Sequence, residues 1–288
     1  MAVKNLYVVD AGHFKLDGGA MFGVVPRSMW EKMNPPDDKN MCDWALRCLL
    51  VETDERLILI DTGMGDKQDA KFRSFFYPSG KELVASIREV GFSPEDITDV
   101  WLTHLHFDHD GGAVKYDENG QLVPTFPNAR YWSNQKHWEW AKYPNAREKA
   151  SFLKENFIPL EEKNRIHFIP ETLTGQTPFG PDIKVFFSYG HTEAMMVPII
   201  HTEYGTLVYC ADLLPSRFHI GMPYVMCYDI RPLTTLDEKT AFFNEALAGQ
   251  YTLFLEHDPT VECITLTKND RGRVVLDKTL TLDGFMGR

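Results

Sequence analysis

Short apolar runs alternate with amphipathic segments along the first half of the chain, which predicts an α/β fold. Apolar and β-branched runs predict strands at 6–9, 45–51, 57–60 and 100–102. Apolar residues at helical spacing predict a helix over 81–90. Ser79 and Glu82 form a capping-box pattern at its start, and Gly91 suits its C-terminal end.

The second half of the chain shows the same succession of apolar runs and amphipathic segments. Its apolar runs predict strands at 185–187, 207–210 and 253–255. Helices are predicted after Ser133, which we take as an N-cap, and over 145–157 and 236–248. The alternation of strands and helices by itself fits a doubly wound sheet as well as other α/β arrangements.

Four potential metal ligands follow the run 100–102 within six residues. His104 and His106 are two residues apart, so in an extended segment they share a face. Asp108 and His109 come next, before a glycine pair at 111–112 that allows the chain to turn. Imidazole nitrogen and carboxylate oxygen suit zinc and similar cations. Such a dense group favours a metal site over solvated loop histidines.

Three later polar residues complete a known pattern. His191, Asp212 and His257 each follow a strand-like run, and Asp61 ends the run at 57–60. Together with the His-x-His-x-Asp-His stretch, they resemble the signature of the metallo-β-lactamase fold superfamily. The resemblance implies a four-layer αββα sandwich with the metal site at one edge of the sheets.

The resemblance also assigns ligands by position. One metal ion would be held by His104, His106 and His191, a second by Asp108, His109 and His257, and Asp212 would bridge them. Asp61 would hydrogen-bond to a ligand imidazole. The implied cofactor is two divalent ions, zinc being the first choice, with iron, manganese and cobalt also compatible.

Such a site implies hydrolysis with Asp108 and Asp212 as catalytic residues. A hydroxide bridging the two ions would attack an ester-type bond, and Asp108 would carry the proton to the leaving oxygen. Within the superfamily, the layout is most similar to acyl-homoserine lactonases and related lactonases and organophosphate hydrolases, over most of the chain. A lactone is therefore the expected substrate.

Two positions depart from those lactonases. They often carry a tyrosine three residues after the bridging aspartate, where this chain has Pro215, and a glycine-containing turn where it has Ala194. A tyrosine elsewhere would then supply the phenol. The stretch 217–232 follows Asp212 and is expected to wall the pocket. Candidate substrate contacts are Phe107, His219, Tyr224 and Tyr228.

Other activities remain as alternatives. A phosphotriesterase or a glyoxalase II-like thioesterase shares the metal set. The net charge of −11 and the lack of a dense basic run disfavour a nuclease and any nucleic-acid partner. A non-hydrolytic di-iron protein usually carries a flavin-binding domain, which we do not find. Asp212 disfavours β-lactamases that lack a bridging carboxylate.

Length and composition are compatible with a soluble enzyme of one compact domain. Hydrophobic residues make up 43% of the 288 residues and charged residues 25%, which is ordinary for a globular protein. We expect one domain over 1–288, no membrane contact, and either a monomer or a homodimer. Five scattered cysteines and an N-terminus without a signal-peptide pattern favour the cytoplasm.

The region 11–40 has the least regular pattern and predicts a long loop. This loop would act as a lid or a partner surface, or it would pack against the body of the domain with Phe22 and Trp30 as anchors. The remaining histidines are expected to be structural or solvated: His13, His137, His167 and His201.

Overall fold

The computed structural model describes residues 2–172 and 174–288. In chain order its strands and helices are β1 (Val3–Asp17), α1 (Gly18–Phe22), α2 (Arg27–Trp30), β2 (Met41–Thr53), β3 (Leu57–Ile60), α3 (Ala70–Phe76), α4 (Leu83–Glu89), β4 (Asp99–Trp101), α5 (Phe107–Asp110), β5 (Val114–Tyr116), β6 (Leu122–Pro124), β7 (Arg130–Ser133), α6 (Gln135–Lys142), α7 (Lys154–Glu162), β8 (Ile166–Phe168), β9 (Ile183–Ser188), β10 (Met195–Thr202), β11 (Gly205–Tyr209), α8 (Pro232–Gly249), β12 (Thr252–Phe254), β13 (Cys263–Lys268), β14 (Val274–Leu280) and α9 (Leu282–Phe285).

Two six-stranded sheets form the middle of the molecule. The first has the order β1-β2-β3-β4-β7-β8 and the second β14-β13-β12-β11-β10-β9, while β5 and β6 form a separate hairpin. Residues from the facing sides of both sheets, such as Leu49, Ile60, Val197 and Leu207, share one buried cluster. The sheets therefore pack face to face.

Helices cover the outer faces. On the first sheet, Leu50 and Val100 pack in a second cluster with Ile87 of α4 and Trp138 of α6. Because neighbouring residues of a strand point to opposite faces, a sheet buried on both sides needs a continuous apolar run, as in β3. On the second sheet, Phe242 of α8 contacts Phe186 of β9. The expected αββα sandwich is confirmed.

Several element boundaries differ from the sequence predictions. The helix expected over 81–90 is the shorter α4, capped by neither predicted side chain, because Ser79 instead pairs through its backbone with His13. Gly91 does end it, with a left-handed φ of 95°. Ser133 is not an N-cap, since it ends β7 and the side chain of Asn134 caps α6.

The helix predicted over 145–157 begins nine residues late, as α7 at Lys154. The side-chain oxygen of Asn145 accepts hydrogen bonds from the backbone N–H groups of Arg147 and Glu148, which stabilises a turn in place of a helix. The prediction was wrong because the spacing of apolar residues gives no information on side chains that hydrogen-bond to the backbone and so favour a turn over a helix.

The predicted loop over 11–40 was also wrong in its first part. β1 continues to Asp17, because Phe14 and Leu16 keep the strand's alternating burial, and α1 and α2 follow. Phe22 and Trp30 are buried and stack with ring centroids 5.0 Å apart. This segment is therefore folded onto the body.

His219 joins that segment to the wall formed by 217–232. Its ring stacks on Phe22 at 5.2 Å, its Nε2–H donates to the carbonyl of Met21 at 2.9 Å, and its Nδ1 accepts from the hydroxyl of Ser216 at 2.8 Å. Both ring nitrogens are used by a neutral imidazole. Burial lowers the pKa of His219 to about 3.

Two expected absences can be examined in the structure. All five cysteines are free, so no disulfide forms among them. Within residues 2–172 and 174–288, no helix has the length and apolar character needed to cross a membrane.

The buried neutral state of His219 predicts a loss of stability in mild acid. Its pKa lies near 6.5 in the unfolded chain and about 3 in the folded one, so unfolding takes up a proton between these values. The free energy of unfolding should then fall as pH drops below 6.5, by about 1.4 kcal/mol from this residue between pH 7.5 and 5.5. Urea unfolding of the metal-free protein measures it.

His219→Gln should be less stable overall but should show a smaller difference between the two pH values. His167→Gln, at an exposed position of β8, serves as the control and should keep the wild-type difference. An unchanged difference in His219→Gln would contradict this assignment.

Candidate metal centre

The ligand residues predicted from the sequence all lie on loops at one edge of the two sheets. His104, His191, Asp212 and His257 are each three residues past the end of a strand, namely β4, β9, β11 and β12. Rigid strands therefore set the direction of each loop. His106 follows in the same loop as His104, and Asp108 and His109 lie on the single turn of α5.

The glycines after α5 have a different purpose from the one expected. Gly111 has a φ of −58°, and neither glycine of the pair adopts a left-handed φ. A Cβ atom at Gly111 would lie 2.0 Å from the carbonyl of Met64, and one at Gly112 would lie 2.2 Å from that of Thr62. Close approach of the Thr62–Met64 segment requires glycine here.

One ligand group contains His104, His106, His191 and Asp212, whose ligand atoms all lie within 4.8 Å of one another. Within it, Nε2 of His191 lies 3.0 Å from Oδ2 of Asp212 and 3.1 Å from Nδ1 of His106. All four residues are buried.

A second group contains Asp108, His109 and His257. The carboxylate of Asp212 faces it as well, because its Oδ1 lies 3.3 Å from Nε2 of His257 and its Oδ2 lies 3.6 Å from Nε2 of His109. The structure thus brings all seven predicted ligands together, with Asp212 between the two groups.

The donor set fits divalent cations. Nε2 of His104 and Oδ1 of Asp212 are buried and have no hydrogen-bond partner among the residues that the structure describes. Leaving a buried polar atom unpaired costs about 1–3 kcal/mol. Nε2 of His109 also lies only 3.2 Å from Nε2 of His257. Cations that accept these lone pairs would satisfy both groups.

Two buried carboxylates lie beside Nδ1 of His109, and Asp61 is the one that hydrogen-bonds to it. Asp61 accepts from the backbone N–H and the hydroxyl of Thr103, both at 2.7 Å, and lies 3.1 Å from Nδ1 of His109. Oε2 of Glu256, which the sequence analysis missed, lies 3.1 Å from the same nitrogen. Burial raises the pKa of Glu256 to about 7. The position next to His257 was the only available signal for it.

Other groups orient the remaining imidazoles. Asp229, also missed, accepts from Nδ1–H of His191 at 2.9 Å and from the hydroxyl of Thr235 at 2.7 Å. Burial opposes protonation of His191, but the charges of Asp212 and Asp229 outweigh it and raise its pKa to about 10. The carbonyl of Ala45 accepts from Nδ1–H of His257 at 2.7 Å.

Arg47 of β2 ties the His257 loop to the first sheet. Its guanidinium donates to the carbonyl of Leu255 at 2.6 Å and to that of Asp258 at 3.1 Å, on either side of the ligand. The loop carried by the second sheet is therefore fixed by a side chain from the first.

His137 is a buried structural residue beside the motif. Its Nε2 accepts from the backbone N–H of Leu105 at 2.8 Å, and its Nδ1–H donates to the carbonyl of Glu193 at 2.6 Å. It thus holds the backbone between His104 and His106. Burial lowers its pKa to about 3, so it stays neutral.

Three non-glycine residues beside the ligands adopt a left-handed backbone, namely Asp61, Ala194 and Ala211. Ala194 has a φ of 51° and Ala211 a φ of 44°. This conformation costs an ordinary L-residue about 1–2 kcal/mol. The turn after His191 therefore keeps a glycine-like shape although the chain has Ala194 there.

A cavity of about 390 Å³ opens onto the ligands. Its walls are largely apolar and include Leu16, Met21, Phe76, Phe107, Met226 and Tyr228. Two of the four predicted substrate contacts, Phe107 and Tyr228, therefore line it. His219 and Tyr224 do not, because both pack against Phe22 behind the wall. His13, His167 and His201 do not line the cavity either.

The model of the metallo-β-lactamase superfamily matches residues 47–241, which contain every predicted ligand except His257. The chain belongs to the metallo-β-lactamase superfamily. The hydrolase class that the sequence resemblance implied for this superfamily member is thereby confirmed.

Several individual proteins similar to this chain are also described as hydrolases or lactonases. An N-acyl homoserine lactonase from Bacillus cereus is 29% identical over 219 residues, which cover 72% of this chain and 74% of that protein. A probable metal-dependent hydrolase from Staphylococcus aureus has a TM-score of 0.84 at 26% identity, with 98% of this chain and 100% of that one covered. AidC, described as a dizinc quorum-quenching lactonase, has a TM-score of 0.76 at 20% identity, with 98% of both chains covered.

The contacts of His137 predict that it stabilises the metallo-β-lactamase motif before any metal binds. His137→Phe keeps a ring in the buried space but leaves the Leu105 N–H and the Glu193 carbonyl unpaired. We expect the free energy of unfolding of the metal-free protein to fall by about 2–6 kcal/mol in urea.

His167→Phe is the matched control, because that ring lies at an exposed position against Trp132. It should change stability by less than about 0.5 kcal/mol. Equal stability of the two variants would show that the hydrogen bonds of His137 are not needed.

Proposed function

We propose that this protein is a binuclear metal-dependent hydrolase that opens a lactone ring. The observation that supports it most directly is the position of Asp212, with one carboxylate oxygen toward His257 and the other toward His191. A single carboxylate between two ligand groups is the arrangement expected of a bridging ligand.

Two divalent cations, zinc being our first choice, would supply a water ionised at neutral pH and would polarise the ester carbonyl. The proton transfer would be carried out by Asp108, which lines the cavity. Its Oδ2 lies 3.8 Å from Nε2 of His257 and 3.9 Å from Nε2 of His109. From there it can take the proton from the attacking water and deliver it to the leaving oxygen.

The cavity supports a small, largely apolar ester as substrate. Phe107 and Met226 belong to its apolar wall, which suits an uncharged ring with an apolar substituent, while Arg147 and Glu148 also line the cavity and offer polar contacts. The relatives named as N-acyl homoserine lactonases agree with this class. Tyr228 would supply the phenol that Pro215 does not, since burial raises its pKa and keeps its hydroxyl protonated as a donor.

We expect the purified protein to bind close to two divalent ions and Asp212→Ala to lose at least one of them together with hydrolysis. Because Asp212 lies 3.0 Å from Nε2 of His191 and 3.3 Å from Nε2 of His257, its removal would withdraw a ligand from both groups. Elemental analysis of desalted protein and kcat/KM on a lactone measure the two effects. Asp283→Ala, an exposed carboxylate paired with Arg288, is the control. A metal-free, fully active wild type would overturn the proposal.

We expect a higher kcat/KM on a lactone than on a thioester or an activated phosphotriester. Comparison of the three substrate classes with one metal-loaded preparation tests the lactone assignment separately from the metal centre. A clear preference for the thioester would favour the glyoxalase II-like alternative, and a preference for the phosphotriester would favour a phosphotriesterase.

A further inference from the structure

Glu148 is a buried carboxylate beside the metal centre that belongs to neither ligand group. Its side chain is 3% exposed and lies on the turn before α7. Oε1 accepts from the hydroxyl of Thr192 at 2.6 Å, and Oε2 accepts from the indole N–H of Trp140 at 2.8 Å and from the amide of Asn145. These donors hold the carboxylate in one position.

The ring of His106, a member of the first ligand group, lies between this carboxylate and the ring of His191. Its Nδ1 lies 3.1 Å from Nε2 of His191, so this nitrogen faces the place where an ion would bind. Its Nε2 faces Oε1 of Glu148 at 3.6 Å and has no hydrogen-bond partner among residues 2–172 and 174–288. A small rotation of the ring would bring these two atoms to hydrogen-bond distance.

The same carboxylate oxygen reaches the segment that carries another ligand. Thr192 directly follows His191, and its hydroxyl donates to Oε1 of Glu148. One oxygen therefore contacts the ring of His106 and the residue next to His191. The other ligand group is supported by different carboxylates, because Asp61 and Glu256 both contact His109.

We propose that Glu148 is a positioning residue that holds His106 and His191 together and so sets the affinity of one ion selectively. That ion is the one that His104, His106 and His191 would hold. The inference rests on the proposed two-metal function. It deepens that proposal by assigning separate supporting carboxylates to the two ions, which predicts that one can be weakened without the other.

The test is a titration of metal-free protein with Co²⁺, followed by its visible absorption, for wild type and Glu148→Gln. Loss of a carboxylate that orients a ligand imidazole typically weakens binding by about 10–100-fold. We expect one of the two Co²⁺ ions to bind that much more weakly and the other to keep its affinity. Excess Co²⁺ should restore most of the kcat, because Glu148 acts through the ligand.

Two further variants make the result specific. Glu161→Gln removes a carboxylate that pairs with Lys142 on the surface of α7, and it should bind Co²⁺ as the wild type does. Thr192→Val keeps the side-chain shape but removes the hydroxyl, and it should weaken the same ion that Glu148→Gln weakens. This variant also decides the matter if Glu148→Gln does not fold.

Unchanged affinity for both ions in Glu148→Gln, or equal weakening of both, would overturn the inference. A wild type that binds only one Co²⁺, or none, would overturn the proposed two-metal function instead, so the two failures can be told apart.

Discussion

Buried negative charge at the edge of the two sheets is the constraint on which this structure depends. Six carboxylates are buried around the ligand imidazoles, and within the described part of the chain none forms an ion pair with lysine or arginine: Asp61, Asp108, Glu148, Asp212, Asp229 and Glu256. An uncompensated buried charge is costly. Imidazoles, and cations held between them, would balance this charge and so would contribute to the stability of the fold.

The sandwich places these buried carboxylates and the ligand imidazoles at fixed positions. The ligand loops come from both sheets and are each held at a strand end, while Asp61 and Asp229 hold the rings of His109 and His191. His137 fixes the backbone inside the motif, and His219 fixes the wall of the cavity. Much of the buried polar chemistry thus serves to limit the movement of ligands.

The α/β class and the seven polar residues that meet at one edge could be predicted because their signals are local, whereas the αββα arrangement was expected only from the resemblance to the metallo-β-lactamase signature. Four of these residues lie within a six-residue stretch, and His191, Asp212 and His257 follow recognisable apolar runs. Glu148 and Asp229 could not be predicted, because each meets its histidine only through tertiary contacts. For the same reason the sequence could not show that His219 packs behind the cavity wall while Tyr228 lines the cavity.

The predicted element boundaries were wrong in two situations. In one, a side chain hydrogen-bonds to the nearby backbone, and in the other, a strand continues beyond its most apolar residues. Asn145 replaces the first turns of a predicted helix with a bonded turn, and Asn134 caps one residue later than predicted. β1 extends to Asp17 because alternate residues remain buried. Apolar spacing carries none of this information by itself.

The hold of Arg47 on the loop of His257 has a consequence for biosynthesis. Arg47, early in the chain, donates hydrogen bonds to backbone carbonyls on both sides of His257, the last ligand in the sequence. Neither these hydrogen bonds nor the complete ligand set can form while the ribosome is still making the second sheet. A nascent chain would display the His104 motif long before its partners emerge. A site that needs all seven residues can therefore be complete only after the two sheets have packed against each other.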